Sequence, residues 1–254
     1  MRIGLIQIDT AWHDKEQNYQ KAEELIRKAA YAGCDIAVLP EMFNTGYSMA
    51  VEEIGEALDG PTSAFLQKVA IERHIGIIAG YPAFDNGSKG LNVARAIDSG
   101  GSIVATYIKL YPFTYAGEHL HYKAGNSTVI FDIGSMSASV FICYDLRFPE
   151  AFRDVASAVQ CIFVIGNWPA SRIDHWSTML KARAIENQCF VVGVNRIGTD
   201  GNGVEYNGNS HVFSPTGEQS CCGTAQDELL TVDIDPTQVD KHRREFPFLD
   251  DMRD

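Results

Sequence analysis

The chain predicts an α/β layered fold. Three observations point to it. Short β-branched runs recur along the whole length, stretches of helical periodicity separate many of them, and some strand-like runs follow one another directly. No low-complexity linker or abrupt shift in composition divides the 254 residues, which predicts a single domain over 1–254. A hydrophobic fraction of 45% is enough for a large core, and the 21% of charged residues is ordinary for a globular chain rather than a disordered one.

Residues 2–9 read as a buried strand. The next segment places Ala22, Leu25, Ile26, Ala29 and Ala30 on one face, an amphipathic helix that Gly33 is suited to end. The run 36–39 is a short strand stopping at Pro40, and a second helix follows Pro61-Thr62-Ser63 with Phe65, Leu66, Val69 and Ala70 on one side. Strands are expected at 75–79, 91–97 and 103–108, the last two joined through Asp98-Ser99-Gly100-Gly101, a hairpin signal. The second half reuses this vocabulary. Strands are expected at 129–133, 136–142, 161–165, 190–195, 211–213 and 229–234, with helices at 149–159 and 173–187. From about 236 to 254 an acidic tail is expected to form a surface or partner-contacting arm.

Composition narrows the function classes. A net charge of −12 with no basic stripe argues against a nucleic-acid partner, although it does not exclude a small anionic substrate. No stretch approaches the ~20 apolar residues that cross a bilayer, so no membrane association is expected. The opening MRIGLIQIDT has no small-residue cleavage site, and Cys34, Cys143, Cys161, Cys189, Cys221 and Cys222 include no CxxC pair. The expectation is a reducing cytoplasm without a disulfide framework, a structural zinc or a cofactor. His119 and His121 would share one face of a strand, yet no carboxylate cluster or cysteine pair at ligand spacing accompanies them, so no metal is expected. Cys161 and Cys189 read as core thiols, Cys221-Cys222 as a strand end, and the glycines of IGTDGNG at 197–203 as a turn-rich surface loop.

Glu41, Lys109 and Cys143 each follow a predicted strand. Taken singly they are ordinary: a solvated loop carboxylate, a surface cation and a core thiol. If their strands share one sheet and run parallel, the three side chains emerge at one edge, where α/β proteins bind ligands. Together they meet a chemical need. A thiol titrates near ~8.5 and requires activation. A glutamate can take its proton, while an ammonium can stabilise both thiolate and oxyanion. The histidine–cysteine pairing of papain-like proteases has no signature here.

The blocks PEMFNTGY around Glu41, YIKLYPF around Lys109 and VFICYDLRFPE around Cys143 resemble the nitrilase, or carbon–nitrogen hydrolase, superfamily. AGEHLHYKAGN at 116–126, GNWPASR at 166–172 and the stretch 181–210 agree, so the resemblance covers nearly the whole chain in order. It implies a four-layer α-β-β-α sandwich that pairs into a homodimer. It also implies Glu41 as general base, Lys109 as transition-state stabiliser, Cys143 as nucleophile and Glu118 as a second glutamate positioning lysine and substrate. Within the superfamily, CYDLRFPE, AGEHLHYKAGN and NWPASR look most like the ω-amidase branch, whose members hydrolyse the terminal amide of 2-oxo acids such as 2-oxoglutaramate and 2-oxosuccinamate. Another amide, an N-carbamoyl compound or a nitrile is the alternative substrate class, and a catalytically silent scaffold is the alternative role.

Such a substrate needs a cation for its far carboxylate. Arg172, at the end of NWPASR, is the candidate, against a structural pairing with Asp174. Tyr144, Trp168 and Phe113 are candidate pocket walls. Arg147 reads instead as a structural ion-pair partner of Asp145 or Glu150.

Overall fold

The computed structural model describes every residue except 85, 86, 88, 227 and 254, the last being the final residue of the expected arm. The described strands form two large sheets and one small hairpin. The first sheet runs in the order Leu229–Asp233, Arg2–Ile6, Ile36–Val38, Gly76–Phe84, Gly90–Ile97, Ile103–Ile108, with Glu56–Ala57 beside Gly76–Phe84. Its centre is parallel and its flanks antiparallel. The second runs Gln219–Cys222, His211–Phe213, Phe190–Asn195, Cys161–Gly166, Met136–Ile142, Phe131–Ile133 and repeats that plan.

Period-two alternation lets one short strand serve two layers. Ile36 and Val38 join Phe141, Val164 and Val192 of the second sheet in one buried cluster. Ala37 and Leu39 point the other way and pack with Leu25, Ile26, Leu66 and Val69 from helices Lys15–Tyr31 and Pro61–Arg73. Beyond the second sheet, Phe152 of Pro149–Val155 and Trp176 and Leu180 of Ile173–Asn187 complete the core. The layers are therefore helix, sheet, sheet, helix. Each large apolar side chain buried between them stabilises the fold by about 1.5–3 kcal/mol.

Side chains fix the local ends of these elements. Asp14 caps the first helix by accepting from the N–H of Gln17 at 3.0 Å. Asp98 Oδ1 accepts from the N–H groups of Gly100 and Ser102, both at 2.9 Å, and closes the hairpin.

Other readings are corrected. Ile36–Val38 and Ile103–Ile108 belong to the first sheet and Met136–Ile142 to the second, so the three candidate residues do not share one sheet edge. Hydrophobic alternation marks a strand as buried without saying which sheet it joins. His119 and His121 lie on the short helix Glu118–His121, not on a strand, and residues two apart on a helix diverge by roughly 200°. The glycine-rich stretch near 200 is more than a surface loop. Ile197–Thr199 pairs with Glu205–Asn207, and Asp200 and Tyr206 are buried. The helix expected at 149–159 ends at Val155 and continues as the 3-10 turn Ala156–Ala158. Past residue 236 the chain forms helix Thr237–Glu245, with Val239 buried and Arg243 donating to the carbonyls of Ala156, Val159 and Asn187.

Candidate active site

Glu41 sits just beyond Ile36–Val38, wedged between the sheets. A Cβ at Gly80 would stand 2.8 Å from Glu41 Cα and 2.8 Å from Ile165 Cδ1, so only a residue without a side chain lets the layers close there. Lys109 follows Ile103–Ile108 and donates its N–H to the carbonyl of Asn92 at 2.9 Å. Glu118 opens its short helix directly after Gly117, whose φ is +76°.

These side chains form one buried network. Lys109 Nζ donates to Glu41 Oε1 at 2.9 Å and to Glu118 Oε2 at 2.9 Å, and all three residues are at most 1% exposed. Asn92 Nδ2 bridges the two carboxylates, 2.7 Å from Glu41 Oε1 and 2.9 Å from Glu118 Oε1. Asn167 donates its backbone N–H to Glu41 Oε2 at 3.0 Å and its side-chain Nδ2 to the Glu41 carbonyl at 2.7 Å. Tyr47 Oη donates to Glu118 Oε2 at 3.0 Å.

The balance of forces sets protonation. Burial would raise the Glu41 carboxyl, but the Lys109 ammonium and the Asn92 and Asn167 donors outweigh it and hold it below the usual range. Burial would likewise lower Lys109, and the Glu118 and Glu41 carboxylates overcome it and keep the ammonium charged. At Cys143, burial and then the charge of Glu41 push the thiol well up, with Lys109 opposing. Two carboxylates around one ammonium leave a net negative surrounding, so the thiol rests protonated beside an ionised carboxylate.

Cys143 ends Met136–Ile142 and begins the 3-10 turn Cys143–Arg147. Its φ of +47° is left-handed, a conformation that costs an L-residue about 1–2 kcal/mol. The sharp elbow lifts the thiol out of the sheet, 3.9 Å from the Asn167 carbonyl. Asp145 braces it from below. Its Oδ2 accepts from the N–H of Ile142 at 2.9 Å and from Tyr107 Oη at 2.7 Å, and its Oδ1 from the N–H of Tyr111 at 2.9 Å.

Above the thiol opens a cavity of about 390 Å³, in the range that takes small ligands. Lys109, Cys143 and Asn167 form its floor, and Phe113, Tyr144 and Trp168 its aromatic walls. Arg147 and Arg172 also line it. The Arg147 guanidinium lies 4.9 Å from the Trp168 ring centre and that of Arg172 5.9 Å from the Phe113 ring centre. Trp168 is held by donating Nε1–H to the Arg172 carbonyl at 2.8 Å.

The structure thus brings together Glu41, Lys109, Cys143 and Glu118, and places Phe113, Tyr144, Trp168 and Arg172 around the space they face. Arg147 is a correction. Asp145 is occupied beneath the elbow, and among the described residues Arg147 meets no carboxylate; its polar partner is His175 Nδ1 at 3.3 Å. Nor does Arg172 form an ion pair with Asp174 or any other described carboxylate. Sequence reading missed Asn92 and Asn167. Asn92 sits inside an apolar strand, and a polar residue in that position needs a buried partner, a signal that was available.

Residues 2–244 match the family model described as carbon-nitrogen hydrolase. A protein of Bacillus subtilis (strain 168) named 2-oxoglutaramate amidase is 33% identical over 99% of this chain and 97% of its own length. An Escherichia coli (strain K12) protein named omega-amidase YafV is 36% identical over 97% of this chain and 94% of its own. Among solved structures, XC1258 from Xanthomonas campestris, a CN-hydrolase superfamily protein with an arsenic adduct in its active site, superposes with a TM-score of 0.94. It is 30% identical and covers 100% of this chain and 97% of its own.

Proposed function

Because this chain belongs to the carbon–nitrogen hydrolase family and is an amide-hydrolysing enzyme, we propose that it cleaves the terminal amide of a small carboxylate-bearing substrate of the 2-oxoglutaramate or 2-oxosuccinamate type. One observation carries the reading. A single cavity holds a thiol above a buried Glu–Lys–Glu network at its floor, while two guanidinium groups that meet no carboxylate among the described residues line the same cavity. The names of the Bacillus and Escherichia relatives support the same substrate class.

The roles follow from the electrostatics. Glu41 removes the Cys143 proton as sulfur attacks the amide carbon, since the resting thiol is neutral and the carboxylate beside it ionised. Lys109 carries three donor protons, and those not held by the glutamates stabilise the oxyanion. Glu118 holds the ammonium in place. The C–N bond breaks as the protonated Glu41 returns its proton to the leaving nitrogen, releasing ammonia and a thioester on Cys143. Glu41 then deprotonates water, which attacks the thioester and frees the carboxylic acid and the thiol. Arg172, aided by Arg147, binds the far carboxylate, and Tyr144, Trp168 and Phe113 wall the substrate between the two ends.

The enzyme is assigned to the cytoplasm, where its nucleophilic thiol stays reduced, and to a homodimer. Ile185, Phe246 and Met252 are exposed apolar residues near one end of helix Ile173–Asn187, where Gln188 donates to the Phe246 carbonyl and Arg153 touches Met252. A second copy covering this face predicts a dimer in light scattering that Ile185→Asp weakens.

Ammonia release across 2-oxoglutaramate, 2-oxosuccinamate, a short neutral amide, a nitrile and an N-carbamoyl acid tests the substrate class. The ω-amides should lead in kcat/KM. A nitrile or N-carbamoyl acid leading instead would overturn the assignment.

A further inference from the structure

The candidate active site is assembled from two sheets, and that raises the question of what keeps its halves in register. Glu41 and Lys109 come from the first sheet, Cys143 and Asn167 from the second. One polar bridge between the halves is the pair of Asn167 hydrogen bonds to Glu41. It involves the base itself. A second is Asp145, which is fully buried and does not line the cavity.

Asp145 stands two residues after Cys143 and belongs to its turn. One carboxylate oxygen accepts from the N–H of Ile142, the residue immediately before the nucleophile. The same oxygen accepts from Tyr107, two residues before Lys109 on the lysine strand, and the other from the N–H of Tyr111, two residues after it. Tyr107 Oη in turn accepts from the N–H of Leu110 at 3.3 Å. A single side chain therefore grips the backbone of the cysteine elbow and both sides of the lysine. No neutral side chain of this size replaces it, because all three bonds require an acceptor.

We propose that Asp145 is a positioning residue for amide hydrolysis, a cross-sheet clamp that sets the distance between the Lys109 ammonium and the Cys143 sulfur and holds the elbow in its left-handed turn. It acts through those two residues and makes no contact with substrate. The inference rests on the reading of Lys109 and Cys143 as catalytic. Its consequence is kinetic as well as structural, since misplacement of reacting groups by about 1 Å costs on the order of 10²-fold in rate. Loosening the clamp also withdraws the ammonium that opposes the upward push on the thiol.

Asp145→Asn keeps the shape and turns one acceptor oxygen into a donor facing N–H groups. The expected result is a loss of about 10²-fold in kcat with KM for the same ω-amide within about threefold. The rate of Cys143 alkylation by iodoacetamide, followed against pH, should move to higher pH. Tyr107→Phe removes one bond of the clamp and should shift both readouts the same way by less, which keeps the test decisive if the Asn variant does not fold. Tyr81→Phe is the control. Tyr81 is an equally buried tyrosine that donates to Leu58 away from the cavity, so its loss should lower stability without moving the alkylation profile. Folded variants at 145 and 107 with kcat within about twofold and an unmoved alkylation profile would overturn the clamp. If instead Lys109→Met and Cys143→Ala themselves retain turnover, it is the underlying assignment of the active site that falls.

Discussion

The floor and the mouth of the cavity are built on opposite principles. At the floor, Glu41, Lys109 and Glu118 are sealed from solvent and tied to Asn92, Asn167 and Tyr47 by hydrogen bonds of 2.7–3.0 Å. At the mouth, Arg147 and Arg172 rest on the aromatic faces of Trp168 and Phe113 and meet no carboxylate among the described residues. On the proposed reading, the charges for bond making are preorganised and costly to disturb, and those for recognition are left for the ligand to satisfy. The contrast teaches where a substitution should cost stability, where it should cost rate and where it should cost selectivity.

The largest effect belongs to the floor. Cys143→Ala should abolish turnover while leaving the fold intact, since the side chain ends in a cavity rather than in a packed layer. Lys109→Met leaves two buried carboxylates facing each other without a cation. Loss of one partner from a buried ion pair costs about 3–5 kcal/mol, so thermal unfolding should show a large drop in stability together with a loss of turnover of at least ~10²-fold. Glu41→Gln should lower the rate of acylation by ~10²–10⁴-fold with a smaller change in stability, because the amide can still accept from the ammonium. A stable, active Lys109→Met enzyme would erase the contrast between floor and mouth.

Substitutions at the mouth sharpen the contrast. Arg172→Met and Arg147→Met should change stability by no more than about 0.5 kcal/mol. They should raise KM for 2-oxoglutaramate by ~10-fold or more, while kcat/KM for a short neutral amide changes far less. Equal losses on both substrates would make these residues structural. Between floor and mouth, Gly80→Ala should displace the backbone of Glu41 and lower kcat without touching any catalytic side chain.

One effect lies far from either and touches stability alone. His211 is buried against Phe213, and burial, partly offset by the Cys221 backbone, lowers its imidazole to about 4. An unfolded histidine takes up a proton near ~6.5. The folded state therefore keeps its stability above that pH and loses it as the pH falls toward 4, by about 3 kcal/mol at most. The His211→Leu variant isolates this effect. Its stability relative to the native enzyme should improve as pH falls from 6.5 to 4, and a pH-independent difference would remove His211 from the account.

Much of the floor is legible in the amino-acid sequence, because Glu41, Lys109 and Cys143 each stand directly after an apolar run and their residue types satisfy one chemical need. Their convergence is legible for the wrong geometric reason. Ile36–Val38 and Met136–Ile142 both read as buried strands, and nothing in either says that they belong to different sheets. The mouth is harder to read. Arg147 is placed by the elbow at Cys143 and meets no carboxylate among the described residues because Asp145 turns toward Tyr107 and Tyr111, a choice set by the facing sheet. The contribution of Asp200 and Tyr206 to the cavity likewise depends on a short hairpin whose glycines read as a loop.

The proposed amide hydrolysis depends above all on one sulfur. Enzyme quenched during turnover of 2-oxoglutaramate, digested and mapped by mass spectrometry, should carry the acyl part of the substrate on the peptide containing Cys143 and on no other cysteine peptide. The buried Cys161 and Cys189, whose thiols burial pushes up, to about 12 at Cys189, should remain unmodified. An adduct on a different residue, or turnover that survives in Cys143→Ala, would contradict the account.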